Sequence, residues 1–507
     1  MSWAPFIVIG LTSGSVYAIT GLGLVLTYRT SGIFNFGYGA VAAAAAYLYF
    51  WLHSSCHLPS WVAVSLVVFG AGPVAGLLFE LMARGLEGVT TTAKIVATIG
   101  LLLGIEALMT LLFGAQGRPF PAFLPTRSYQ IAGVHVGVDQ MVTVGLAALI
   151  MVALSVYLRS TRVGVAMRAV VESPSLLGLN GISPWATRSV AWIIGSSFAA
   201  LSGLLLAPST GLSPLDLILI VVQAFSAAAV GAFSSLPMTY AGGILIGLLY
   251  AAAEKIAAGP AAHLQWVQGL PASIPFLALF AVLLLAPSGR LREVAATGSV
   301  RNRPPAEVPA ALRNAGVVAV VGLAVAVPWI VGLRLPIYTN ALAMVVIFSS
   351  LRLLVRTSGQ ISLAHFGFAA VGGATMAHLT GGLHVPWLVS LLLAGLAAVP
   401  IGLVLAVPAI RLSGLYLALA TFGFGILLSN LVYPLKVMFG PFGSLTAGRP
   451  RLGFVDGQHP KTFYFCMLAV AAAVLGVVLV VERSRLGRLL RGMADSPLAL
   501  TVRGTSV

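Results

Sequence analysis

Uncharged apolar runs recur along the whole chain, each near the roughly 20 residues that a helix needs to cross a hydrocarbon core. They predict helices at about 5–27, 36–53, 61–83, 93–114, 138–158, 186–208, 216–234, 238–257 and 271–287. Six more follow at about 314–333, 339–355, 361–381, 386–409, 413–433 and 462–481. Between the two groups, GRLREVAATGSVRNRPPAEVPAAL at 289–312 is polar and rich in proline, which reads as a cytoplasmic linker. The pattern predicts an all-α polytopic transmembrane bundle of about 15 spans. Its halves are 1–288 and 313–507, joined by 289–312.

The polar phrases that interrupt the runs are repeated. TRVGVAMRAVVESPSLLGLNGI at 161–182 returns as SRLGRLLRGMADSPLALTVRGT at 484–505. Arg162, Gly164, Arg168 and Gly181 recur in register as Arg485, Gly487, Arg491 and Gly504, and acidic Glu172 as Asp495. RTSG at 29–32 returns at 356–359 at nearly the same offset. The chain therefore reads as two related membrane halves in tandem. Topology alone would require arginines in such loops but not a repeated spacing, so the segments 161–182 and 484–505 read as docking surfaces for a cytoplasmic partner.

Composition agrees with the bilayer as solvent: 59% of residues are apolar and 8% charged, against about 25% charged in soluble domains. The net charge of +16 comes from arginines at helix ends and needs no nucleic acid, since no basic run is interleaved with stacking aromatics. Placing the amino terminus outside puts Arg29, Arg84, Arg159, Arg162, Arg168 and Arg188 on the cytoplasmic side, with the clusters at 290–313 and 483–491. The extra span at 314–333 then gives both halves the same orientation, so the repeats are parallel. Cys56 and Cys466 form no metal or redox motif, and the eight histidines never adopt ligand spacing. No metal site is expected.

Within the spans, Glu106 is the best-centred ionisable residue, and a carboxylate at that depth must face the bundle interior, a partner or water. Glu80 and Arg84 have the i,i+4 spacing of a structural ion pair. At 30–35 and 357–362 the phrases TSGIFN and TSGQIS separate spans with almost no loop. Either a tight turn or a broken helix fits. Broken backbone there would line a substrate pathway, and the candidates are Thr30, Ser31, Asn35, Ser358, Ser362 and His365. Glycine-rich phrases at 10–26 and 242–253 allow helices to approach closely.

The repeated loops resemble the coupling helices of ABC importer permeases, and the flanking phrases narrow the likeness to the branched-chain amino acid type. LTSGSVYAITGLGLVLTYRTSGIFNFGYGA at 11–40 is similar to the opening of the first of that system's two permeases. TSGQISLAHFGFAAVGG at 357–373 and LSGLYLALATFGFGILL at 412–428 are similar to the second. The resemblance spans nearly the whole chain and implies a fusion of the two permeases in the cell membrane. It implies two separate P-loop ATPase subunits docked on the coupling helices and an extracytoplasmic substrate-binding protein. ATP would be used by those subunits, because no G-x-x-x-x-G-K-[ST] occurs here and the chain binds no cofactor of its own. Three departures stand out: Tyr38 and Ala40 replace the family's usual histidine and acidic residue, Leu176 and Leu177 replace coupling alanines, and the second half is expected to lack its terminal helices.

The alternative is a secondary transporter or channel for small polar solutes, for which Glu106 is the sole mid-membrane charge of note. An enzyme is not expected, since no nucleophile and base, or paired carboxylates, share one membrane level.

Overall fold

The computed structural model describes residues 3–86, 88–114, 116–125, 127–131, 133–170, 174–285, 309–412, 414–452, 455–495 and 501–502. Two units are present, Met1–Arg301 and Asn302–Val507. The linker expected at 289–312 lies almost wholly outside the described residues.

In the first unit, α1 (Ala4–Ser31) and α2 (Tyr38–Phe50) flank an unwound stretch, and α2 ends in a π turn, Trp51–Ser55. Next come α3 (Ser60–Leu66), a π turn (Val67–Ala71), α4 (Gly72–Gly85) and α5 (Thr91–Phe113). A hairpin of β1 (Ser128–Ile131) and β2 (Val134–Gly137) leads into α6 (Val138–Ser160). Two short helices, α7 (Arg162–Ala169) and α8 (Pro174–Leu179), precede α9 (Pro184–Thr210). The unit closes with α10 (Pro214–Ile218), α11 (Ile220–Val230), α12 (Leu236–Ala257), α13 (Gln265–Gln268) and α14 (Leu270–Leu285).

The glycine-rich phrases of α1 and α12 are each other's partners. A Cβ on Gly14 would lie 2.8 Å from the Gly243 carbonyl oxygen, and one on Gly243 would lie 2.7 Å from the Ala18 Cα. Side chains here would push the backbones apart, so glycine is what permits packing in lipid, where dispersion replaces the hydrophobic effect. Buried hydroxyls on α1 are satisfied inside the helix: Thr20 donates to the Val16 carbonyl and Thr27 to that of Gly23, both at 3.1 Å.

After one additional helix the second unit repeats the order of α1–α7. It contains α15 (Ala310–Ile330), α16 (Leu335–Ser358), α17 (His365–Ala377) with its π turn (His378–Gly382), α18 (Trp387–Ala397) and α19 (Val399–Arg411). Then come α20 (Gly414–Leu427) with a π turn (Leu428–Val432), α21 (Lys436–Phe439), a hairpin of β3 (Arg451–Leu452) and β4 (Val455–Asp456), α22 (Pro460–Arg483) and α23 (Arg485–Asp495). The correspondence is close: α17 and its π turn repeat α2 and its π turn residue for residue at an offset of 327. Among the described residues the strands are confined to loop hairpins, and the fold is a helical transmembrane bundle.

Among the described residues ten helices are long and apolar enough to span a membrane, and three shorter apolar ones accompany them, at Pro214–Val230, Leu270–Leu285 and Tyr416–Val432. With the two helix-plus-π-turn segments at 38–55 and 365–382, each predicted span has a helix. On α15 the valines 317, 318, 320 and 321 are exposed, as suits a face turned to lipid.

Candidate functional site

Each repeated loop begins with the same joint. Thr161 ends α6 and caps α7, accepting the Gly164 amide at 3.0 Å. Ser484 ends α22 and caps α23, accepting the Gly487 amide at 3.1 Å. Each hydroxyl also donates at 2.7 Å to the last turn of the preceding helix, Thr161 to Tyr157 and Ser484 to Val481. The capped glycine is then pressed onto that turn. A Cβ on Gly164 would meet Leu158 and the Tyr157 carbonyl at 2.5 Å, and one on Gly487 would overlap the Val481 carbonyl. The joint is thus a rigid bend, built by an N-cap and a glycine with no room for a side chain.

On these joints the predicted residues divide. Arg162, Arg168 and Arg485 are exposed. Arg491 is turned inward instead: its Nε donates to the Gly487 carbonyl at 3.2 Å and its Nη2 to that of Glu482 at 3.0 Å. Gly181 adopts φ +77, the left-handed conformation that ends the first loop. Asp495 closes α23, while Glu172 and Gly504 lie outside the described residues. Of the two leucines that replace alanine, Leu177 joins Ala166 and Val170 in a small core that holds α8 on α7, whereas Leu176 is 60% exposed.

A buried carboxylate gathers arginines in each unit. Glu80 of α4, 1% exposed, faces Arg188 of α9 at 3.2 Å and Arg84 at 3.9 Å. The sequence spacing therefore found the weaker partner, because Arg188 is distant in the chain. In the second unit Glu482, one residue before Arg483, meets Arg352 at 3.2 Å and Arg356 at 3.5 Å.

The two broken turns are also copies. Gly32 and Gly359 both sit at φ +66 and stop their helices. After them, the Ile33 amide donates to Ser31 Oγ and the Gly37 amide to Asn35 Oδ1, at 3.2 and 2.8 Å. At an offset of 327 the Gln360 amide donates to Ser358 Oγ and the Ala364 amide to Ser362 Oγ, at 3.4 and 3.3 Å. A threonine from a later helix braces each turn. Thr98 of α5 donates to the Phe34 carbonyl at 3.4 Å, and Thr421 of α20 accepts the Leu363 amide at 3.0 Å. The sequence reading missed both, although VATIG at 96–100 and LATFG at 419–423 repeat at the same offset as the loops.

Similar turns have different surroundings. In the second unit, Ser362 and His365 line a cavity of about 410 Å³ with Thr357, Gln360 and Thr421. His365 Nδ1 lies 3.0 Å from the Ser362 carbonyl. In the first unit Tyr38 stands at the position of His365 and is buried, its hydroxyl donating to Thr27 at 3.0 Å and its ring stacking on Trp192 of α9. Thr30 is buried, its hydroxyl donating to Leu26 at 3.0 Å and Thr27 at 3.1 Å, and Ser31 donates to Thr27 at 2.7 Å. Glu106 is half-buried on α5, and among the described residues no hydrogen bond or ion pair reaches it. A further cavity of the first unit, about 470 Å³, gathers Thr12, Asp139, Gln140, Thr143 and Ser209 at the end opposite the joint. None of these had been singled out in the sequence.

The profile of the family described as Branched-chain amino acid transport system / permease component matches residues 6–286 and again 333–507. The chain belongs to this family. Its two matches in tandem agree with the repeated joints and turns, so two permease halves are fused in one polypeptide. Among curated relatives, the high-affinity branched-chain amino acid transport permease BraD of Pseudomonas aeruginosa is 27% identical over 47% of this chain and 82% of its own length. LivH of Escherichia coli K12 is 26% identical over 56% of this chain and 93% of its own. LivM of the same organism, a permease of the same description, is 34% identical over 27% of this chain and 32% of its own. No solved structure matches the chain. The family and the ten long apolar helices make it a multi-pass membrane transport subunit of the cell membrane.

Proposed function

We propose that the chain is the membrane-spanning part of an ATP-driven importer for branched-chain or related amino acids, with α7–α8 and α23 as the coupling helices of two separate ATPases. The observation that carries this reading is the joint itself. Thr161 with Gly164, and Ser484 with Gly487, join a short helix to the end of a membrane-spanning helix through the same cap and the same crowded glycine in both units. A push on the short helix is then transmitted to the span, because the bend has no slack. Exposed Arg162, Arg168 and Arg485 supply charge-assisted donors for a partner, and exposed Leu176 and Leu179 supply apolar contact. ATP stays with the partners and acts by favouring one of two bundle states.

Substrate delivery is assigned to an external binding protein, and the pathway to the cavity beside Ser362 and His365. That cavity is mainly apolar with a few hydroxyl, amide and imidazole groups, the mixture suited to a small amphipathic solute. Uptake of labelled leucine, isoleucine and valine by proteoliposomes containing the chain, its ATPases and its binding protein tests the reading. Uptake should require enclosed ATP and fall at least tenfold in Arg168→Ala with Arg485→Ala, about the cost of losing one or two charge-assisted hydrogen bonds. Uptake driven by an ion gradient without ATPases would reject it in favour of a secondary transporter.

A further inference from the structure

Five arginines converge on one cleft where α16 and α22 end. Arg352 and Arg356 come from α16, Arg483 closes α22, and Arg488 and Arg491 come from α23; with Leu479 and Glu482 they line about 390 Å³. The lining carries one carboxylate. Glu482 Oε2 takes both Arg352 and Arg356, while Arg488 Nη1 donates to the Arg483 carbonyl at 2.7 Å and Arg491 to the carbonyls of Gly487 and Glu482. A guanidinium has five N–H donors, so these bonds leave several on each arginine for a ligand.

Membrane topology calls for arginines at helix ends but not for their convergence. The first unit shows the difference. There Arg29 and Arg168 stand at the positions of Arg356 and Arg491. By the repeat offsets, the counterpart of Glu482 is Arg159 and that of Arg352 is Val25.

Several guanidinium forks around an open cleft match the oxygens of a phosphate group, which they bind in bidentate fashion. The cleft also lies at the ends of two membrane-spanning helices, Gly332–Ser358 and Pro460–Arg483. Leu479 lines it, and Val477, Val480 and Leu486 on the same two helices, α22 and α23, are exposed, apolar side chains of the kind that acyl chains can cover. Basic pockets between spans at the cytoplasmic face are suited to anionic headgroups. We propose that this cleft is an oxyanion site that binds the phosphate of an anionic phospholipid headgroup.

The test uses the whole purified chain without ATPases, so its outcome is separate from that of the transport reading. Phosphatidylglycerol and phosphatidylcholine are offered in turn, and retained lipid is measured by native mass spectrometry, with inorganic phosphate as competitor. Phosphatidylglycerol should be retained in preference, and Arg483→Gln with Arg488→Gln should weaken retention roughly tenfold or more. Both side chains are exposed and their replacement spares the Glu482 pairs, so the variant keeps its fold. A matched control, Arg159→Gln with Arg162→Gln, should stay within about twofold, since charges at the membrane surface act locally. Displacement by inorganic phosphate would show that the same oxyanion site also fills from solution, and resistance to it that the acyl chains contribute. Equal losses in the two variants, or retention indifferent to headgroup charge, would overturn the proposal.

Discussion

Ser484 accepts the Gly487 amide at 3.1 Å, and this one bond sets the bend between a membrane-spanning helix and the short helix that follows it. Thr161 and Gly164 repeat the relationship 323 residues earlier. Because a Cβ on either glycine would run into the preceding turn, Gly164→Leu and Gly487→Leu should each distort the joint, at a cost of about 1–3 kcal/mol for overpacking. ATP-driven uptake should fall severely while membrane insertion, followed by expression and gel filtration, persists. Gly178→Ala is the comparison, since a Cβ there meets nothing within 4 Å, and it should leave uptake unchanged.

The brace on the second broken turn is a hydrogen bond from the Leu363 amide to Thr421 Oγ1. Thr421→Val keeps the shape and removes the acceptor, leaving a part-buried amide unpaired at a cost of about 1–3 kcal/mol. Thermal unfolding in detergent should move to lower temperature. Thr98→Val should have the smaller effect, because the Phe34 carbonyl that loses its donor already sits 3.4 Å away and has a second lone pair for other partners. Equal shifts would show that the two turns are held alike.

Ser362 and His365 line a cavity, whereas Tyr38, at the position of His365, is buried with its hydroxyl on Thr27. His365→Ala should therefore raise the KM for uptake by about tenfold, the worth of one good polar contact. Tyr38→Phe should leave KM unchanged, its hydroxyl being spent on Thr27. If Tyr38→Phe changes KM as much as His365→Ala does, the pathway runs through both turns.

The span pattern and the two repeats were legible in the sequence because each can be read without tertiary contacts. An apolar run of about 20 residues needs no tertiary contact to declare itself a span, and a repeated spacing is visible without knowing what it does. Gly164 and Gly487 could be recognised as paired positions in this way, and so could Ser362 and His365.

Tertiary structure alone decided what those residues touch. Glu80 looked like the partner of Arg84, four residues on, yet Arg188 of α9 comes closer, since helices distant in sequence pack side by side. Arg491 matched Arg168 in sequence but folds back on the carbonyls of Gly487 and Glu482, while Arg168 stays exposed. The similar phrases TSGIFN and TSGQIS form similar turns, and only the later helices around them bury Tyr38 beside the one and leave a cavity beside the other. Hydropathy records that a segment enters the membrane, and it is silent on rotation about the helix axis. That rotation, set by close approaches such as Gly14 to Gly243, determines which side chains meet.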